Sequence, residues 1–573
     1  MTIRPMPVLL ALLLTVLFAA SRPAPAATYH VATQGNDLNP GTVASPWRTI
    51  QKAAAALMPG DTVLIHQGTY QETVVPARSG TGDNPIAYRN YEGEEVVIDG
   101  QNKTRTNCIL VTDKAYLQFV GLTLTGASGA ALDILGTSHD ITLDGLRCRN
   151  SRFGVRAKGE LSPVAGVTVR NCDITANSKY GIYFHNKVYD STIGPNNHIY
   201  LNGGEDQSYG IEITTDYPGV QADGARNIVL HDNEIDHNDV QGIQTWNAVG
   251  VLIAHNYFHH HGATGIQIED GSANIIVQDN ISEYNAQTWE YETGAWIDNT
   301  QNAVVSGNTF RGNKIGLMVT SSTRVILRNN LVVDNNRGVP NLYNAMGVNV
   351  NTNSYDVAVV HNTLHGNGAP ESTKGGISMG SKPPVSGILF KNNIVSESRA
   401  PYDLYYGSGG YSSDFNLLYN TRQIAVYWLS GRLSWSQYQA SSGQEVHSIL
   451  GQPGFVDVSN RDFHLGAGSP GIDTGDCLAR TVGSGTGQTI RVTDAGYFSD
   501  GLGMTLGDLV RVGENEVRIK SVDYGAKTIT VDRQIEWKDG DGVSYPYVGR
   551  APDIGAYETG LGMDPPTGLR VLQ

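Results

Sequence analysis

The sequence predicts an all-β fold, a parallel β-helix solenoid, on three observations. First, a strand phrase recurs: Gly210-Ile-Glu-Ile-Thr214 returns as Gly242-Ile-Gln-Thr-Trp246, Gly265-Ile-Gln-Ile-Glu269 and Gly294-Ala-Trp-Ile-Asp298. Successive side chains of a strand point to opposite faces, so each copy sends its apolar pair inward and its variable pair outward. Second, an Asn-x-apolar phrase recurs at Asn233, Asn256, Asn308, Asn330, Asn362 and Asn393, with looser copies at Asn171 and Asn280. A second polar residue follows five positions later, at Asn238, His261, Asn285, Asn313, Asn335 and Asn367. Intervals of 22 to 32 residues suit a coil of three short strands. Asn there tolerates left-handed backbone and can stack in a hydrogen-bonded ladder. Third, 67 Gly and only 17% charged residues fit turn-dense β structure and exclude a charge-rich disordered chain.

The elements follow in order. Residues 1–26 read as a secretory signal: Arg4, the apolar run Val8 to Ala20, then Ala24-Pro-Ala26 for cleavage. The mature chain is expected to start near Ala27 and to be secreted, periplasmic or at the cell surface. Residues 27–105 read as an N-terminal cap and first strands. Within it Ser45 to Leu57 predicts a helix, with Pro46 in its first turn and Trp47, Ile50, Ala53, Ala54 and Leu57 on one face. Residues 106–478 carry the coils, and Ser434-Trp-Ser-Gln-Tyr438 reads as a short surface helix. Residues 479–550 alternate strongly and predict a small inserted antiparallel β-domain. Residues 551–562 close the β-helix, and 563–573 form a tail. The net charge is −15, or −17 once Arg4 and Arg22 leave with the signal, which argues against a nucleic-acid partner. No later stretch is apolar enough to span a membrane. Of the four cysteines, Cys148 aligns with the inward Ile174 and Cys172 with Leu146, so free core thiols are expected rather than a bridge.

Tyr29-His-Val-Ala, Gly35-Asn-Asp-Leu-Asn-Pro-Gly41, Pro46-Trp-Arg-Thr-Ile-Gln-Lys-Ala, Pro59-Gly-Asp-Thr-Val and Gly68-Thr-Tyr70 carry a resemblance. This opening resembles secreted right-handed parallel β-helix proteins of the pectate-lyase-like superfamily, which include polysaccharide lyases acting on chondroitin, alginate or pectate. The resemblance implies a right-handed coil and an exported protein. It also implies a Lys or Arg base, often with Ca2+ held by acidic residues.

Aligning the strand phrases yields two outward columns. One runs Asp133, Arg156, Tyr183, Glu212, Gln244, Gln267, Trp296, Met318, Asn349. The other runs Leu135, Lys158, His185, Thr214, Trp246, Glu269, Asp298, Thr320, Asn351. Trp246, Trp296 and Tyr183, with Gln244, Gln267 and His185, offer a sugar-binding groove beside Glu212, Glu269 and Asp298. The competing expectation is that loops such as Asp206 to Tyr209 and Gln287 to Glu292 cover this face. Two-carboxylate hydrolysis would use Glu269 and Asp298. β-Elimination would need a base, from Lys158 or His185, and Ca2+ held by Glu269, Asp270 and Asp298. Yet Lys158 lies about four coils from Asp298, and neither column holds Lys or Arg from Glu212 through Asp298. His237 beside Asp236 is a further general-base candidate. His259-His260-His261 is conceivable as a metal site, but consecutive side chains point apart, and a turn role explains His261. The expectation is an exported enzyme that cleaves polysaccharide, with a non-catalytic surface or matrix glycan-binding protein as the alternative. Oligomeric state is left open.

Overall fold

A computed structural model describes residues 26–215, 224–285, 293–336, 345–369, 374–380, 385–404, 410–422, 424–429 and 431–561. The signal expected at 1–26 lies almost wholly outside them, as do Gln287 to Glu292 and the tail. Among the described residues no helix is long and apolar enough to cross a membrane.

Each coil supplies three strands, as in Gln241–Trp246, Val249–Ala254 and Tyr257–His259. Each pairs in parallel with its counterpart one coil away, so the coils stack into three long faces. The third face is a 15-stranded sheet. The first and second merge into a 27-stranded sheet. Phe153–Arg170 and Tyr180–Ile193 run continuously across the corner between those two faces. Inward residues such as Ile211, Ile213, Ile243, Ile266, Ile268 and Ile297 are fully buried in the bore.

The N-terminal cap helix is shorter than the sequence predicts. It spans Ile50–Ala56 and is capped by Thr49, whose hydroxyl accepts from Lys52 N. Two carboxylates set that start. Asp37 accepts from the backbone N of Arg48 and Thr49, at 2.9 and 3.0 Å. Glu72 accepts from the N of Ile50 and Gln51, at 2.9 and 2.8 Å. They satisfy the N–H groups of residues 48 to 51, so the helix starts at Ile50 with its first free donors already paired. The apolar face is as expected: Trp47, Ile50, Ala53, Ala54 and Leu57 are buried.

The Asn ladder is present and longer than the phrase count implies. It runs Asn197, Asn233, Asn256, Asn280, Asn308, Asn330, Asn362, Asn393, Asn416. Asn308 shows the unit. Its Nδ2 donates to Val277 O, Ser306 O and Asn330 Oδ1 at 2.9 to 3.0 Å. Its Oδ1 accepts from Asn280 N and Nδ2 at 2.9 and 3.0 Å. Left-handed backbone falls one position earlier, at Asp232, His255, Asp279, Gly307 and Asn329, and not on the ladder residues themselves. Asn171 is therefore not a rung. It is the left-handed residue, and Cys172 N makes the bond, to Asn197 Oδ1 at 3.0 Å. A second ladder runs Asn177, Asn202, Asn238, His261, Asn285, Asn313, Asn335, Asn367. His261 does take the turn position: its Nδ1 accepts from Asn238 N. All four cysteines are free.

At the far end Asn416 donates from Nδ2 to both oxygens of the buried Glu445, each at 3.1 Å. The helix Trp435–Ser442 has the capping box of Ser434 and Gln437. It lies on the surface as expected, with Ser436, Gln437, Ala440 and Ser441 exposed, and turns Trp435 and Tyr438 into the main core at the end of the bore. The inserted β-domain is a six-stranded antiparallel sheet between Ala479 and Ser544. Its core packs on Ala358 and Val360 of the second face. The phrases that flank it meet: Asp473 N donates to Asp553 Oδ1 at 2.8 Å, and Gly475 N to Pro552 O at 2.9 Å.

Asn308→Ala orphans the buried N–H of Asn280, removes the donor to Val277 O and Ser306 O, and is expected to cost on the order of 3 kcal/mol in chemical denaturation. Burial lowers His261 from 6.5 to about 3 and His361 to about 4. Below pH 6.5 the unfolded chain gains protons that the fold refuses, so stability falls as pH falls. His261→Asn should make that loss shallower, by up to about 1.4 kcal/mol per pH unit between about pH 6 and 4. Denaturant midpoints at a series of pH values measure it.

Candidate functional site on the first face

The strand register reproduces both outward columns. Asp133, Arg156, Tyr183, Glu212, Gln244, Gln267, Trp296, Met318 and Asn349 are partners in turn. Trp246 pairs with Glu269 and Asp298 with Thr320; Ile268 with Ile297 sets Glu269 and Asp298 on adjacent coils. Lys158 stands five coils from Asp298, the number of steps in the second column rather than about four, and pairs with Glu160 at 2.7 Å.

The columns differ in depth. Glu212, Gln244 and Gln267 are buried, whereas Trp246, Glu269, Trp296 and Asp298 are half-buried. Gln244 and Gln267 therefore lie under the surface, and both donate from Nε2 to the Glu269 carboxylate. They hold Glu269 from beneath. Gln241, which the column alignment omits, donates to Gln267 and extends the chain. Thr320, placed in the column but assigned no role, accepts from Trp296 Nε1 at 2.7 Å and donates to Asp298 Oδ1 at 2.6 Å. Each acid is thus held by its own fixture.

Charge in this half-closed face is costly. Burial pushes Glu269 from 4.5 to about 7, with Asp270 and Asp298 adding to the rise. Burial also raises Asp298. Glu212 lies well above the usual carboxylate range, through burial and then the Glu269 charge. It belongs beneath the site, not on its surface. Glu212 Oε2, Gln241 Oε1 and Trp246 Nε1 have no hydrogen-bond partner among the described residues. Ordered water or ligand hydroxyls would supply one.

Toward the N-terminus the face is packed. Tyr183 stacks on Phe153 at 5.3 Å and on His185 at 4.9 Å, and His185 is buried. Arg156 forms a two-point ion pair with the buried Asp133 at 2.6 and 2.8 Å. Lys179, outside both columns, contributes positive charge near Glu212. His237 is not part of this face: it bonds Asp236 at 2.5 Å and stacks on His260, on the third face. Cavities of about 220 and 500 Å³ lie between the second face and the C-terminal segments, lined by packing residues such as Arg324, Tyr524, Arg328 and Tyr545. Neither touches the columns, although the larger one is also lined by two acids raised by burial, Asp279 and Glu558.

Residues 29–202 match the family described as Pel9A-like, right handed beta helix region, and residues 199–353 and 283–418 match Right handed beta helix region. With the observed coils, these matches make the chain a member of the right-handed parallel β-helix proteins. The Pel9A-like match is confined to the N-terminal portion. The chain is 26% identical over 471 residues to the uncharacterized protein YwoF of Bacillus subtilis (strain 168), covering 77% of this chain and 91% of that one. It is 40% identical over 88 residues to pectate lyase PEL9 of Emericella nidulans, which is 15% of this chain and 22% of that protein. Among solved structures, pectate lyase Pel9A aligns with 93% of this chain and 97% of its own at 14% identity and a TM-score of 0.33. XylC in complex with xylose aligns with 90% and 99% at 13% identity and a TM-score of 0.39. Likenesses at that level carry no statement about activity.

The raised Glu269 has a measurable consequence. Between about pH 4.5 and 7 the unfolded chain ionises this carboxyl while the folded chain keeps it protonated, so its burial costs stability as pH rises. Glu269→Gln abolishes that ionisation. The Tm difference, variant minus parent, is expected to move in the variant's favour from pH 4.5 to 8.

Proposed function

We propose that the first face binds and cleaves an extracellular polysaccharide, with Glu269 and Asp298 as the reacting pair. One observation carries the reading: a carboxyl that keeps its proton to about pH 7 stands one coil from a second acid in the same column. A protonated carboxyl is what glycosidic bond cleavage needs as general acid. Asp298, oriented by Thr320, then acts as the base or nucleophile. Parallel coils lie about 4.8 Å apart, a separation suited to carboxyls that flank one bond. Trp246 and Trp296 offer ring faces to the sugar on either side.

Elimination on a uronate is the second reading, supported by the Pel9A-like match over residues 29–202 and the short stretch shared with pectate lyase PEL9. It would take Ca2+ at Glu269, Asp270 and Asp298. The Pel9A-like match ends before those acids, and the columns hold no Lys or Arg beside them. Hydrolysis is therefore the leading mechanism. Export with cleavage before Ala27 belongs to the same proposal.

Full-length protein on a panel of neutral and uronate polysaccharides tests it. Hydrolysis releases reducing ends without absorbance at 235 nm; elimination produces both. Glu269→Gln and Asp298→Asn are each expected to lose about 100-fold or more in rate while still binding polymer. Parental rates in both variants, or binding without cleavage across the panel, would sink the assignment. The N-terminal residue of protein recovered outside the cytoplasm checks the export step.

A further inference from the structure

The third face carries a group of side chains that the glycan reading leaves unused. The strands His198–Tyr200, Glu234–Asp236 and Tyr257–His259 lie on three successive coils, with Tyr200, Asp236 and His259 in register. Ile199, Ile235 and Phe258 are fully buried, so alternation turns Asp236 and His259 outward together. The next residue after Asp236, His237, is left-handed, and the turn swings its ring back over that face. Ligand atoms of Asp236, His237 and His259 all lie within 4.8 Å of one another, and so do those of His198, Glu234 and Asp236.

We propose that Asp236, His237 and His259 bind a borderline divalent transition metal of the zinc class. Two imidazole nitrogens and one carboxylate oxygen suit such an ion, whereas Ca2+ takes six to eight oxygens. Tetrahedral ligation sets ligand atoms about 3.3 Å apart. The His237–Asp236 contact of 2.5 Å would open by less than about 1 Å to admit the ion. The flanking residues already do what an outer shell does. His198 Nε2 contacts Asp236 Oδ1 at 2.6 Å, and Glu234 Oε1 contacts His259 Nε2 at 3.3 Å, fixing carboxylate and ring. Asp236 and His259 are nearly buried while His237 is half exposed, which leaves an entry side and an open position for water. The consecutive His259 and His260 meet through their Nδ1 atoms at 2.9 Å, a contact that the ion would replace at His259, which also reaches residues of the neighbouring coil.

The experiment uses full-length protein stripped with EDTA, then loaded with Zn2+ or Co2+ and desalted. About one equivalent of metal is expected to stay bound, and Co2+ should give visible d–d bands typical of a low-coordinate site. His237→Asn, chosen because Asn tolerates the left-handed backbone, should weaken affinity about tenfold or more, and so should His259→Gln and Asp236→Asn. His139→Ala, an exposed His beside Asp140 on another face, should leave affinity unchanged. If the buried variants fail to fold by circular dichroism, the half-exposed His237→Asn decides. Retention below about a tenth of an equivalent, or parental affinity in His237→Asn, overturns the site.

Discussion

The structure depends on one repeated interaction, the side-chain amide that accepts from the coil behind and donates to the coil ahead. Strand pairing alone would let adjacent coils slip, because a parallel ladder of apolar residues offers many near-equivalent registers. The buried Asn rows remove that freedom. A slip would strand buried amide groups, at about 1–3 kcal/mol each. Column alignment on the outer face follows from this internal constraint. Glu269 and Asp298 sit one above the other because Asn280 and Asn308, inside, sit one above the other.

How much was legible in the sequence depended on the source of each signal. Gly-apolar phrases gave the first-face register residue by residue, because each strand is short and its alternation unbroken. Depth was not legible. Gln244 and Gln267 read as exposed alternating positions, yet they are buried under the outer column, and alternation cannot say what lies over a face. The helix start moved from Pro46 to Thr49 because Asp37 and Glu72 reach it from distant segments. The third-face residues were named separately, His237 beside Asp236 and His259 within its run, and were not joined into one group because each was weighed within its own coil. Its register, Tyr200 with Asp236 with His259, was present in the same repeats.

The two outer faces put similar residues to different use. On the first, burial raises the carboxyls, and no cation stands within the columns beside them. On the third, carboxylates are matched by imidazoles and an arginine: Asp236 lies below its usual range through His198 and His237, and Glu283 through Arg311 and Tyr257. Neighbours, more than residue type, decide which acid is a proton donor and which a permanent anion.

The ladder also has a direction. Every Asn needs an acceptor on its C-terminal side, and the last one finds it in Glu445, a carboxylate with no amide of its own to satisfy. Glu445 is a terminator, and nothing about it depends on how many coils precede it. Whole coils can thus be gained or lost by in-frame duplication or deletion with both ends of the ladder still satisfied. Solenoid length is free to vary while the two caps stay the same.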